Sequence, residues 1–261
     1  MNAALIFPYS RWRLFLWRHP ESLVMLLSAA AWLFLVAASA MSTMEMSPSL
    51  SAPLHAHSAD GSVSFHPSMN IWGAEGWPAF LLHWAAMIVA MMFPSLASQL
   101  RVVAARSFWS RRTRATLLFL FGYLALWLLY GVIAEAFLQL AHQALPAAST
   151  FLVPFSLLIA AVWQLTRRKQ KSLVSCHFTM PMSPSGWRAD HDCCLYGART
   201  AVQCCISCWA LMLICAAASH ALWAMLVVTT VFWIERLLRR PRQPWLASAL
   251  FASALLAFCC L

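Results

Sequence analysis

The chain has 261 residues, of which 62% are hydrophobic and only 10% are charged. Water-soluble domains average about 45–50% apolar and about 25% charged residues, so this composition excludes a soluble globular protein and a disordered one. The formal net charge of +10 would suit nucleic acid, but the basic residues occur in short clusters beside apolar segments and form no basic domain. We therefore expect the lipid bilayer as a partner, and no nucleic acid.

Apolar segments of membrane-spanning length recur along the chain, since a spanning helix needs about 20 mostly apolar residues. Those that meet or approach this length are Ser22–Ala40, Trp77–Leu96, Ala115–Leu138, Ala147–Leu165 and Trp245–Leu261. The segment Ala201–Ile234 is too long for one ordinary span and is predicted to form two short helices that turn near Ser219 and His220. The predicted fold is all-α: a polytopic transmembrane helix bundle of about seven helices, the fifth and sixth being a tight hairpin.

The basic residues predict one orientation of these helices. With seven helices and a cytoplasmic N-terminus, all 18 Lys and Arg fall in cytoplasmic segments, as the positive-inside tendency requires. We expect a single integral membrane domain, 1–261, in a bacterial inner membrane, with an outer loop at 41–76 and a cytoplasmic loop at 166–199. The tripeptide Ala38-Ser39-Ala40 also resembles a signal-peptide cleavage site, so removal of the first helix stays open.

The two long loops carry different potential metal ligands. The outer loop contains no Cys, and its candidate ligands are Met44, Met46, His55 and His57. The candidates in the cytoplasmic loop are Cys176, Cys193 and Cys194. Thiols persist in a reducing compartment, whereas thioethers and imidazoles also serve outside it. Thiolate, thioether and imidazole together suit Cu(I), so copper is the predicted ion. For the outer loop, a flexible linker without metal is the alternative.

The second predicted span carries His83, Met87 and Met91 at positions i, i+4 and i+8, which places them on one helix face. An ionisable side chain inside a bilayer is costly and usually functional, so His83 is a candidate metal ligand. Met87 and Met91 are candidates too, although methionine in an apolar helix often only fills space. Pro94 is expected to loosen this helix near its inner end.

The fifth predicted span places Cys204, Cys208 and Met212 on one face at spacings of four residues, with Cys205 beside them. Two ligands at i and i+4 can hold one ion between adjacent helical turns. The alternative is tight packing by small buried thiols. Glu235 and Arg236, near the end of the sixth span, are most simply explained by an ion pair at a helix end.

Two motifs resemble those of a bacterial family of predicted metal-binding integral membrane proteins whose function is not agreed. The first is matched by Trp84, Met87, Ala90, Met91, Met92, Pro94 and Ser95. The second is matched by Gly197, Arg199, Cys204, Cys208, Trp209, Ala210, Leu211 and Met212. The resemblance covers roughly Ala31–Arg236 and implies a membrane fold that binds metal. The chain departs from it at Thr200 and Ser207, where the family has His and Cys, so Cys205, His177 or His191 would have to replace those ligands.

Together these patterns favour a membrane protein that binds copper and transfers it to a soluble or membrane-bound partner. Two alternatives stay open. One is a non-catalytic scaffold or assembly subunit of a membrane complex, and the other is a membrane thiol oxidoreductase, suggested by nine Cys. No nucleophile set, phosphate loop or carboxylate pair is present in the sequence, which favours a function other than catalysis.

Overall fold

The computed structural model describes residues 20–45, 76–144, 151–175, 180, 183, 186–218, 220–237, 248–250 and 252–253. The regular secondary structure of this part is helical and contains no strand, which confirms the all-α prediction. In chain order its α-helices of nine or more residues are α1 (Pro20–Glu45), α2 (Gly76–Met92), α3 (Ala97–Arg106), α4 (Arg112–Ala144), α5 (Leu152–Gln164), α6 (Arg167–Ser175), α7 (Gly186–Ala217) and α8 (Leu222–Leu237).

The described part contains helices that are long and apolar enough to cross a membrane, judged by length and composition. They are Glu21–Met41, Gly76–Arg106, Arg112–Ala144 and Gly186–Ala217, and α5 is a shorter apolar helix. The predicted seventh helix, Trp245–Leu261, lies mostly outside the described residues.

The segment 166–199, predicted as a cytoplasmic loop between two spans, contains α6 and the first turns of α7. These turns are too polar to be recognised as a membrane span, and ion pairs stabilise them from outside the helix. Asp190 on α7 pairs with Arg111 and Arg114, the latter at 2.7 Å.

The helix that begins with α2 changes geometry at Pro94, as predicted. Phe93–Leu96 forms a 3₁₀ turn between α2 and α3. Proline has no N–H, so it cannot donate to the carbonyl of Ala90 four residues earlier. Two donors from α1 bond to that carbonyl: Ser28 Oγ at 2.7 Å and Trp32 Nε1 at 3.1 Å. The proline therefore creates the hydrogen-bonding site that joins α1 to α2.

The central contact of the bundle is the crossing of α4 and α7, and two glycines allow it. A Cβ on Gly197 would lie 2.1 Å from the carbonyl oxygen of Phe119, and one on Gly122 would lie 2.3 Å from that of Cys194. Small residues let helix backbones approach closely where no larger side chain fits. Around this crossing, α2 packs against α1 and α4, while α5, α6 and α8 pack against α7.

The predicted hairpin between the fifth and sixth spans is present, with its turn at the predicted place. Helix α7 ends at Ala217 and α8 begins at Leu222. His220 in the turn has a φ of 57°, in the left-handed region that usually favours glycine. Its backbone N–H donates to the carbonyl of Cys215 at 2.8 Å, which closes the end of α7.

Candidate metal centre at the thiol pair of α7

Cys204 and Cys208 form a pair of buried thiols on α7, as their spacing predicted. Their sulfur atoms lie 3.8 Å apart, and both residues belong to the apolar core. A metal–thiolate bond of about 2.3 Å, as zinc makes, allows two sulfurs on one ion to lie up to about 4.6 Å apart. The two sulfurs are thus close enough to bind one ion.

Two side chains from other helices contact the sulfur of Cys204. Tyr123 of α4 donates its hydroxyl to this sulfur at 3.3 Å, and Arg236 of α8 lies 3.6 Å from it through Nη2. The guanidinium of Arg236 also lies over the ring of Phe232, 4.8 Å from its centroid, which holds the arginine in place. A buried thiol pair therefore lies where α4, α7 and α8 meet, beside a positive charge.

The backbone next to the thiols is also engaged. The carbonyl of Cys204 accepts hydrogen bonds from Ser207 Oγ and from the Cys208 thiol, each at 2.7 Å. A metal ion would replace the thiol proton of Cys208 and so remove the second of these bonds, whereas the bond from Ser207 would remain.

Glu235, the sequence neighbour of Arg236, belongs to a buried ion pair that joins α8 to α6. Lys169 of α6 and Glu235 of α8 are 2.8 Å apart, and each side chain is only 3% exposed. Gln164 of α5 also donates to Glu235. Burial lowers the pKa of Lys169, and the carboxylate of Glu235 acts in the opposite direction. The sequence predicted an ion pair between Glu235 and its neighbour Arg236. The structure shows that Glu235 also pairs with Lys169, which is far from it in the sequence.

The remaining predicted ligands on α7 fall into two groups. Met212 is fully buried one helical turn beyond Cys208, whereas Cys205 is only partly buried. Cys193 and Cys194 lie in the first turns of α7, about 15 Å along the helix from Cys204. All the described cysteines are free thiols.

The face of α2 predicted to carry ligands is in the core. Met87 and Met91 are fully buried. Both α2 and α7 pack against α4, and His220 after α7 lies near His83 of α2, their ring centroids 5.3 Å apart. The structure therefore brings His83 to the C-terminal end of α7, whereas the thiol pair lies in the middle turns of that helix.

Several predicted ligands cannot be placed. Cys176, Met46, His55 and His57 lie outside the described residues, while Met44 is on the last turn of α1. Among the side chains that the structure describes, no three His, Cys, Asp or Glu come together as a possible metal site. Within the described part of the chain, the thiol pair is therefore a two-sulfur site as far as these residue types go.

With this geometry in hand, comparison with known proteins identifies the family. Residues 81–259 match the model of the PpoB2 family, described as a copper chaperone. The chain belongs to the PpoB2 copper chaperone family. The match includes both sequence motifs and the whole of α7, and it agrees with the choice of copper as the ion. No curated protein and no solved structure matches the chain.

The two positions where the resembling family has extra ligands are occupied by hydroxyls that bond within α7. Thr200 donates to the carbonyl of Tyr196 at 2.8 Å, and Ser207 donates to that of Cys204. Such bonds to the preceding turn satisfy the hydroxyl locally. In this PpoB2-family chain, Cys204 and Cys208 are the fully buried thiols of this part of α7, beside the partly buried Cys205.

Sequence reasoning did not identify Tyr123 and Arg236 as parts of the site. The sequence predicted Arg236 as a cytoplasmic charge and as an ion-pair partner of Glu235, and Tyr123 is a single hydroxyl inside an apolar helix. The available signal was that polarity: a hydroxyl in the middle of an apolar span needs a hydrogen-bond partner when buried.

Proposed function

We propose that this protein is an integral membrane copper chaperone that takes Cu(I) as cargo on Cys204 and Cys208 and passes it to a soluble or membrane-bound partner. The observation that carries the proposal is the thiol pair, with sulfurs 3.8 Å apart in the core of a copper chaperone family member. Two thiolates are soft ligands, which favour Cu(I) over harder ions.

Charge explains why an arginine belongs beside this site. Cu(I) bound by two thiolates has a net negative charge, and burying an uncompensated charge is costly. The guanidinium of Arg236, 3.6 Å from Cys204, neutralises it. The hydroxyl of Tyr123 adds a hydrogen bond to the same sulfur. The site is therefore suited to a monovalent cation, because the net negative charge of Cu(I) with two thiolates is opposite in sign to the charge of Arg236.

The outer surface of α4 supports placement in a membrane. One face of this helix points away from the bundle and carries large exposed apolar side chains, including Phe121 at 65% and Phe137 at 63% exposure. Its other members are Leu117, Leu129, Ile133 and Leu140. A continuous apolar face of this kind is unfavourable in water and favourable against lipid. We propose a multi-pass protein of the bacterial inner membrane with a cytoplasmic N-terminus.

Metal analysis of the detergent-purified protein tests the copper site. The reduced protein is incubated with limiting Cu(I) and Zn(II), and bound metal is measured by mass spectrometry. The test variant is Cys204→Ser/Cys208→Ser. The matched control is Cys193→Ser/Cys194→Ser, which removes two thiols from the same helix about 15 Å away.

We expect the wild type and the control to retain copper in preference to zinc, and the test variant to retain clearly less copper than either. Equal copper in all three proteins would contradict the thiol site. Unchanged copper together with loss of a co-purifying protein from the test variant would favour the scaffold alternative.

Reporter fusions at the N-terminus and in the segment 46–75 test the proposed orientation. An N-terminal reporter that is active outside the cytoplasm would contradict it.

A further inference from the structure

The turn after α7 places a histidine where the backbone would favour glycine. Among the described non-glycine residues, only His220 has a positive φ, at 57°. Positive φ is uncommon for residues with a side chain, although Asn, Asp and His tolerate it better than most. Backbone strain of this kind often occurs at functional sites, where the side chain serves a purpose. The conformation of His220 therefore calls for an explanation beyond turn formation.

The turn brings the imidazole of His220 next to that of His83 on α2. The ring centroids are 5.3 Å apart, with an angle of 68° between the ring planes. Both residues are partly exposed. Two nitrogens that bind one ion at about 2.0–2.1 Å each lie at most about 4 Å apart. A centroid separation of 5.3 Å allows one nitrogen from each ring to come within this distance.

A buried tryptophan packs against this histidine pair on the side that faces the core. Trp84, beside His83 in the sequence, lies edge-on to His220 with centroids 5.4 Å apart. Its Nε1 donates to the carbonyl of Trp127 at 3.0 Å, and its ring lies so close to Gly131 that a Cβ there would be 2.2 Å from Nε1. The histidine pair thus has a rigid, preorganised wall on its buried side.

Soft side chains lie in the core between the histidine pair and the thiol pair. Cys204 lies 13 residues before the end of α7, or about 20 Å along the helix. Met212 and Cys215 of α7 and Met87 of α2 are buried in the intervening turns. The His220 backbone is joined directly to this region through its bond to the Cys215 carbonyl.

We propose that His83 and His220 form a second copper site at the C-terminal end of α7, about 14 Å along the helix from Cys208 in its middle turns. The inference rests on the proposed function for the identity of the cargo. Imidazoles and thioethers bind copper without needing a reducing compartment, which suits a position toward the outer side. Copper would enter or leave the bundle at the histidine pair, the outer site, and the thiol pair would be the inner site.

The test uses the full-length Cys204→Ser/Cys208→Ser protein as background, so that copper binding by the histidine pair is measured without the thiol pair. Binding of Cu(I) is titrated against a chromogenic chelator, and the ligand atoms are identified by X-ray absorption. The test variants in this background are His83→Gln and His220→Asn. Asparagine tolerates the left-handed conformation, so it keeps the turn. The control is His142→Gln, an exposed histidine at the end of α4.

We expect each test variant to weaken copper binding by about tenfold or more and to remove nitrogen scattering, while the control changes neither. Chemical unfolding of His220→Gly should show equal or greater stability than the parent, because glycine relieves the strained backbone. No copper in the background protein, unchanged binding in both test variants, or loss in only one of them would each overturn the shared site. Failure of the thiol-pair proposal would be detected separately, as equal copper binding by the wild type and the Cys204→Ser/Cys208→Ser protein, which both keep the two histidines.

Discussion

Replacing Gly197 by alanine tests the α4–α7 crossing most directly. In a helix interior, replacing glycine by alanine normally stabilises the helix by about 1 kcal/mol, so the same change at a site with free space would stabilise the protein. Here the new Cβ would lie 2.1 Å from the carbonyl oxygen of Phe119 and 2.9 Å from its carbonyl carbon. Ordinary van der Waals contact begins at 3.4 Å, so the two helices would have to separate by more than one ångström.

The expected cost follows from which atoms clash. Overpacking of a core typically costs about 1–3 kcal/mol, and a clash with backbone falls toward the upper end because no rotamer change relieves it. We expect Gly197→Ala to lower the free energy of unfolding by about 2–3 kcal/mol. Tyr123 lies one turn beyond Phe119, so the separation would also lengthen its 3.3 Å contact with the sulfur of Cys204.

The assay is chemical unfolding of detergent-purified protein, followed by tryptophan fluorescence. Gly131→Ala provides the contrast, since its clash is with the ring of Trp84 and not with backbone. Adding Trp84→Leu should recover part of the loss caused by Gly131→Ala. No change of the Phe119 side chain should rescue Gly197→Ala. A Gly197→Ala protein as stable as wild type, or more stable, would refute the close approach of the two helices.

Two further predictions concern the charged groups near the thiol pair. Lys169→Met should destabilise the protein by about 3–5 kcal/mol, because it leaves Glu235 buried without its cation, and adding Glu235→Leu should recover much of the loss. Chemical unfolding of both variants measures this, and equal losses in the single and double variants would contradict it. Arg236→Met should weaken Cu(I) binding by about tenfold or more, while Arg236→Lys should weaken it less, since lysine keeps the charge. A competition titration with a Cu(I) chelator measures both, and equal affinities in the two variants would argue against charge neutralisation.

The parts of the fold that depend on local sequence could be predicted. Apolar length identified the long helices, and the length of Ala201–Ile234 required a turn, which the structure places at His220. Pro94 predicted a change of helix geometry because a missing N–H acts within its own helix. The spacing of Cys204 and Cys208 predicted one face, and their sulfurs are indeed neighbours.

The parts of the site that depend on contacts between helices could not be predicted. Tyr123 is 81 residues from Cys204, and Arg236 is 32 residues away. Nothing in a single sequence states that α4 and α8 meet α7 at the same turn. The helices within the segment 166–199 have a related origin, because distant arginines such as Arg114 stabilise the first turns of α7.

The two faces of α4 have a consequence for how this helix tolerates change. Tyr123, Trp127 and Gly131 recur every four residues on the inner face, where Tyr123 contacts Cys204 of α7 and the other two contact Trp84 of α2. The outer face, which includes Phe121 and Phe137, contacts nothing within the described chain that fixes its shape. Variation should therefore follow the helical repeat, with any apolar side chain accepted outside and almost none exchangeable inside. Sequence variation along this one helix would then separate the positions that pack within the bundle from those that face outward.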